Sequence, residues 1–102
     1  MEEFEYRFEW DLVKAEKNSR DHGVTFEQAA TVFLDAGLLS QIDEEHGAEE
    51  ERWVSLGLDK SMRLLVVCHT YREVSGRSAT IRIYSARKAT PKETKDYGRR
   101  KP

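Results

Sequence analysis

The chain has little of what staples or interrupts a fold. Its single cysteine, Cys68, cannot form an internal disulfide, so stability must come from a packed core. Lying in the apolar run Leu64-Leu65-Val66-Val67, that thiol reads as structural rather than nucleophilic. Only two prolines occur, Pro91 and Pro102, which leaves everything before residue 90 open to helix or strand. No uninterrupted apolar stretch approaches the roughly 18 residues of a membrane span. The opening MEEFEYRFEW is acidic and lacks the basic-then-apolar layout of a signal peptide, so a cytoplasmic location with no membrane partner is expected. His-Glu-x-x-His, Cys-x-x-Cys and Gly-rich phosphate loops are missing. The acidic run DEEHGAEEE (43–51), which includes His46, lacks calcium-loop spacing, so neither a metal nor a cofactor is expected.

What the chain does have is charge, unevenly divided. The total is nearly balanced, with 17 Lys+Arg against 19 Asp+Glu. Residues 1–51 hold four basic and fifteen acidic side chains, a net of −11. Residues 52–102 hold thirteen basic and four acidic, a net of +9. That division permits a polyanion-binding face. It is equally what two halves would show if their charges intermix on the folded surface.

At 102 residues the length suits one domain over 1–102, with one modest core. Alternation of Phe4, Tyr6 and Phe8 with Glu5, Arg7 and Glu9 predicts a strand from about Glu3 to Trp10. Asp11 can cap a helix over Leu12–His22, stopped by Gly23, with Leu12, Val13 and Ala15 as its apolar contacts. Thr25 and Gln28 form a capping-box pattern, and Phe26, Ala29, Ala30 and Phe33 make one helical stripe ending before Asp35-Ala36-Gly37. Strands follow over Leu38–Ile42, Arg52–Leu58, Met62–Thr70 and Ala79–Ser85. The third of these is apolar on both faces, which places it centrally. Arg72–Ser78 reads as a polar loop. Thr90-Pro91-Lys92-Glu93 caps a last helix to about Tyr97, and residues 98–102 form a flexible basic tail. The order β-α-α-β-β-β-β-α describes an α+β domain with two helices packed on an antiparallel sheet.

Several separated segments, in order and covering about Phe8 to Tyr97, resemble the BrnT family: FEWD (8–11), NSRDHGVTFEQA (18–29), ERW (51–53), LLVVCHTYR (64–72) and IRIYSARKAT (81–90). Two positions depart from the usual pattern. Asp21 stands where Lys is usual, and Tyr84 where Ile is usual. The resemblance implies a RelE-like fold and a toxin of a type II toxin–antitoxin system that cuts RNA and inhibits translation. It further implies a BrnA-type antitoxin with a ribbon-helix-helix part, a heterotetramer with it, and operator DNA binding only through it.

Metal-free RNA cleavage needs a proton taken from the 2′-hydroxyl, a proton given to the leaving oxygen, and stabilisation of charge on the phosphorane. The sequence is rich in candidates for the third task. Arg82 lies on the last strand, as a phosphate clamp or as a surface partner for a carboxylate. Arg87 and Lys88 stand where that strand meets the last helix, suited to the scissile phosphate or to the antitoxin. Arg52 opens a strand and Arg72 closes the central one; each is a phosphate contact or half of an ion pair. His69 is the acid–base candidate by intrinsic pKa, or else a hydrogen-bonded core residue. Lys92 and Tyr97 are candidate RNA contacts, Tyr97 alternatively packing on the sheet. Glu93 is first a helix cap. The rival to a nuclease is a binding module for nucleic acid or protein that performs no catalysis.

Overall fold

A computed structural model of the chain describes residues 4–43 and 51–99. The middle of the acidic run, His46 and the last three residues of the basic tail lie outside the described residues. The elements are β1 (Glu5–Glu9), α1 (Leu12–His22), α2 (Phe26–Ala30) continuing as a 3-10 turn (Thr31–Leu34), β2 (Leu39–Ile42), β3 (Arg52–Leu58), β4 (Leu64–Ser75), β5 (Ser78–Lys88) and α3 (Pro91–Arg99). This is the expected α+β order. The sheet runs β1-β5-β4-β3-β2, with the apolar β4 at its centre.

The helix ends form as their residues require. Asp11 Oδ1 accepts from the amides of Val13 and Lys14 at 2.8 and 3.1 Å. Gly23, at φ +68°, closes α1 in the left-handed region that glycine enters without strain. Thr25 and Gln28 bond reciprocally at 3.0 and 2.9 Å. Val24, Phe26, Ala29 and Val32 then bury completely against Leu65, Val67, Ile81 and Ile83 on one face of the sheet.

The structure corrects four expectations. β1 pairs with β5 in parallel, so the sheet is mixed rather than antiparallel. No hairpin joins these strands, so no local turn dictates their sense, and Phe8 comes to lie beside Ile81. Residues 72–78 are not a loop: β4 and β5 extend through them as a hairpin whose β4 arm is exposed from Tyr71 to Ser75. Their polarity reflects overhang beyond the core. Leu12 and Val13 do not anchor α1, being 79% and 77% exposed. Asn18 does, donating to the carbonyls of Val24 and Ala86 at 3.0 and 2.8 Å and accepting from the Ala86 amide at 3.1 Å. Finally, α3 continues to Arg99.

Helix α3 stands apart from the other two. The Tyr97 hydroxyl donates to Asp35 Oδ2 at 2.6 Å, and the same oxygen accepts from the Leu58 amide at 2.8 Å. Gly37 makes this approach possible, because a Cβ there would stand 2.9 Å from the Tyr97 hydroxyl.

Candidate functional site

Helices α1 and α2 cover one face of the sheet. The other face gathers the arginines, and strand register decides which ones. Arg52 on β3 stands opposite Thr70 on β4, which stands opposite Arg82 on β5, which stands beside Glu9 on β1. Two inter-strand steps separate Arg52 from Arg82, about 10 Å between backbones. The next row carries Arg7, Thr80 and Arg72. Two rows the other way, Arg87 stands opposite Val66.

Arg82 and Arg87 are an odd number of residues apart, and a regular strand would send them to opposite faces. A β-bulge prevents this. Cys68 pairs with Ser85 while His69 pairs with Ile83, so Tyr84 is the extra residue. The bulge rephases β5 and returns Arg87 to the face of Arg82. Tyr84 joins them, its ring lying 4.9 Å from the Arg52 guanidinium carbon.

Arg7 Nε lies 3.9 Å from Glu5 Oε1, and Arg82 and Arg87 also hold carboxylates. Arg82 Nη1 is 3.5 Å from Glu9 Oε1, a loose and exposed pair that contributes little to stability. Arg87 is bound more firmly, donating from Nη1 and Nη2 to the two oxygens of Glu93 at 2.8 and 2.9 Å. Glu93 also takes the Thr90 amide at 2.8 Å, while Thr90 Oγ1 accepts from the Glu93 amide at 3.2 Å. The guanidinium holds the Glu93 carboxyl down to about 2. Arg52 and Arg72 form no ion pair among the described residues. Beside α3, on the same sheet face, runs a groove of about 470 Å³ lined by Leu39, Val54, Leu56 and Val66 and by Lys92, Glu93 and Asp96.

Arg52, Arg72, Arg82 and Arg87 therefore share a face, with Lys92 at its edge. Three other candidates lie elsewhere. His69 points into the helix-covered core and is 3% exposed. Its Nδ1 faces the Thr70 carbonyl at 3.0 Å, so that nitrogen carries the proton, and Nε2 accepts from Ser55 Oγ at 2.7 Å. Burial lowers its pKa, which keeps the ring neutral. Lys88 alternates with Arg87 and stands opposite Leu65, a residue of the core face. Tyr97 is buried and tethers α3 through Asp35. Arg7, Glu9 and Tyr84 belong to the arginine face and were not among the expected site residues. The Glu9–Arg7–Glu5 alternation could have placed the first two, had the partner of β1 been known.

Residues 10–93 match the family described as the ribonuclease toxin, BrnT, of type II toxin–antitoxin systems. The chain belongs to the BrnT family. It is thus a ribonuclease toxin of a type II toxin–antitoxin system, a class that implies an antitoxin partner. The fold is similar to that of the Brucella abortus ribonuclease toxin BrnT, solved by crystallography at 1.1 Å. The TM-score is 0.57 at 18% identity, with 84% of this chain and 99% of that one covered. No curated protein matches the sequence. Among the described residues, no helix is long and apolar enough to cross a membrane.

Proposed function

We propose that this BrnT-family toxin is a metal-independent endoribonuclease that grips its RNA on the arginine face. Arg52, Arg82 and Arg87 contact the phosphate that is cut, and Arg72 and Lys92 extend the track for its neighbours. The observation that carries this reading is the row Arg52–Thr70–Arg82, joined by Arg87 through the bulge, on the sheet face opposite α1 and α2. Guanidinium groups fixed on strands suit phosphate because their planar donors need little rearrangement. As the 2′-oxygen attacks, negative charge grows on the non-bridging oxygens. Donors already aimed at them lower that barrier, and losing one donor in comparable roles costs roughly 10²–10³ in rate. The charge-neutralising task falls to arginine, and no group of three metal-ligating side chains occurs among the described residues.

Proton transfer does not fall to His69, which lies on the other face with both ring nitrogens engaged. Among the described residues, the carboxylates paired with Arg82 and Arg87 are Glu9 and Glu93. The second is held near 2 by Arg87, so it stays ionised and can serve as a base only after Arg87 turns to the phosphate. Cleavage of cellular RNA would inhibit translation in the cytoplasm. A BrnA-type ribbon-helix-helix antitoxin, assembling as a heterotetramer, would neutralise the toxin by covering this face, and operator DNA would be reached through that antitoxin.

Purified toxin incubated with RNA and excess chelator tests the reading. It predicts cleavage undiminished by the chelator, and a loss of roughly 10²-fold or more in Arg52→Ala and Arg82→Ala. Retention of RNA without cleavage would instead support a binding module, and full activity in both variants would remove the assigned face.

A further inference from the structure

Tyr84 has a hydroxyl whose proton the folded protein does not use. The oxygen is buried, and no acceptor for its proton occurs among the described residues. The Arg52 guanidinium lies over the ring and approaches the phenol oxygen as a donor. A guanidinium only donates, so even where it approaches the phenol oxygen, the hydroxyl's own proton stays unspent. Buried polar groups in folded proteins are overwhelmingly paired, and an orphan costs free energy that selection would remove by a single Tyr-to-Phe change unless the oxygen serves something else. The position reinforces the point. Tyr84 is the inserted residue of the β5 bulge, the irregularity that brings Arg82 and Arg87 onto one face, and bulges are over-represented beside active sites.

We propose that Tyr84 is a substrate-contacting residue of the nuclease site, whose hydroxyl donates to a non-bridging oxygen of the phosphate held by Arg52 and Arg82. This rests on the nuclease reading and adds a residue to it. In the free protein Arg52 lies over the ring and forms no ion pair among the described residues. A phosphate arriving on the arginine row draws the guanidinium towards itself and gives the phenol an acceptor. The phenol acts as a donor and not as the base. Burial pushes its pKa up, helped by Cys68 and opposed by the Arg52 charge, so the proton stays on oxygen at neutral pH. No bond to Tyr84 forms or breaks. The hydroxyl strengthens its hydrogen bond as charge builds on the phosphorane, and so acts on kcat more than on KM.

The test is Tyr84→Phe, with cleavage of a defined RNA and thermal unfolding measured on the same preparation beside the wild type. The proposal predicts kcat lower by roughly 10²-fold with KM little changed, and a Tm equal to or above that of the wild type because an unpaired buried hydroxyl is gone. In an Arg52→Ala background the same substitution should cost less, since the two act on one phosphate. Tyr84→Phe cleaving like the wild type would overturn the role, and so would an activity loss that merely follows a lower Tm. A wild-type protein that leaves RNA intact would end the nuclease reading itself, which separates the two failures.

Discussion

Asn18 carries the attachment of α1 that its apolar residues do not supply. Its amide satisfies the carbonyls of Val24 and Ala86 and the amide of Ala86, all from one buried side chain. Asn18→Ala leaves those backbone groups unpaired away from water, a cost of roughly 2–3 kcal/mol. Urea unfolding should show a lower midpoint at unchanged slope; an unchanged midpoint would mean that water replaces the amide without penalty. The sequence could not disclose this role, because the partner strand is 68 residues away and helical periodicity registers only apolar faces. Arg52 behaves differently. Stacked on Tyr84, its planar group matters beyond its charge. Arg52→Lys should therefore recover only a small part of the cleavage lost in Arg52→Ala; full recovery would reduce its role to a point charge. The alternation of Thr80, Ile81, Arg82 and Ile83 made the facing of Arg82 legible in advance. That of Arg87 was not, since a bulge leaves no mark in the alternation of this strand.

At the scale of elements, side-chain ties from Tyr97 to Asp35 and from Glu93 to Arg87 hold α3. The second depends on pH. The Glu93 carboxyl falls from an ordinary 4.5 to about 2 on folding, so the pair stabilises the fold above about pH 4.5 and is lost as pH falls towards 2. Glu93→Gln should lower stability by about 1 kcal/mol at pH 7, a charge-assisted pair discounted for its partial exposure. The gap to the wild type should narrow between pH 4.5 and pH 2 in unfolding measurements. No gap at pH 7 would show that the capping bond to the Thr90 amide, which a Gln oxygen also accepts, and not the ion pair, does the holding. The capping patterns at Asp11, Thr25 and Thr90 and the apolarity of β4 made the order of elements readable. The parallel partner of β1 was not readable, because pairing between chain ends depends on packing and not on any local turn. The β4 arm of the β4–β5 hairpin read as a loop for a related reason: exposed on both faces from Tyr71 to Ser75, it lacks the half-buried alternation by which a strand is recognised.

Across the whole molecule, the division of charge along the sequence becomes a division between faces only in part. Glu9 reaches Arg82 across the β1–β5 edge, so the acidic half does enter the basic face. Among the described residues, it reaches the central arginine row of β3, β4 and β5 through that one loose pair, and Arg52 and Arg72 form none. The two faces then differ in kind. One is an aliphatic and aromatic core beneath α1 and α2 with neutral His69 locked inside it; the other is a sheet surface ruled by arginine. The central claim is that RNA lies on the second. Backbone amide shifts of the isotope-labelled toxin during titration with a short oligonucleotide lacking 2′-hydroxyls, which binds without being cut, test it most directly. The account predicts that the largest changes fall on Arg52, Thr70, Arg82, Ser85 and Arg87, while α1 and α2 stay nearly still. Changes concentrated on α1 and α2, with β3, β4 and β5 undisturbed, would contradict it.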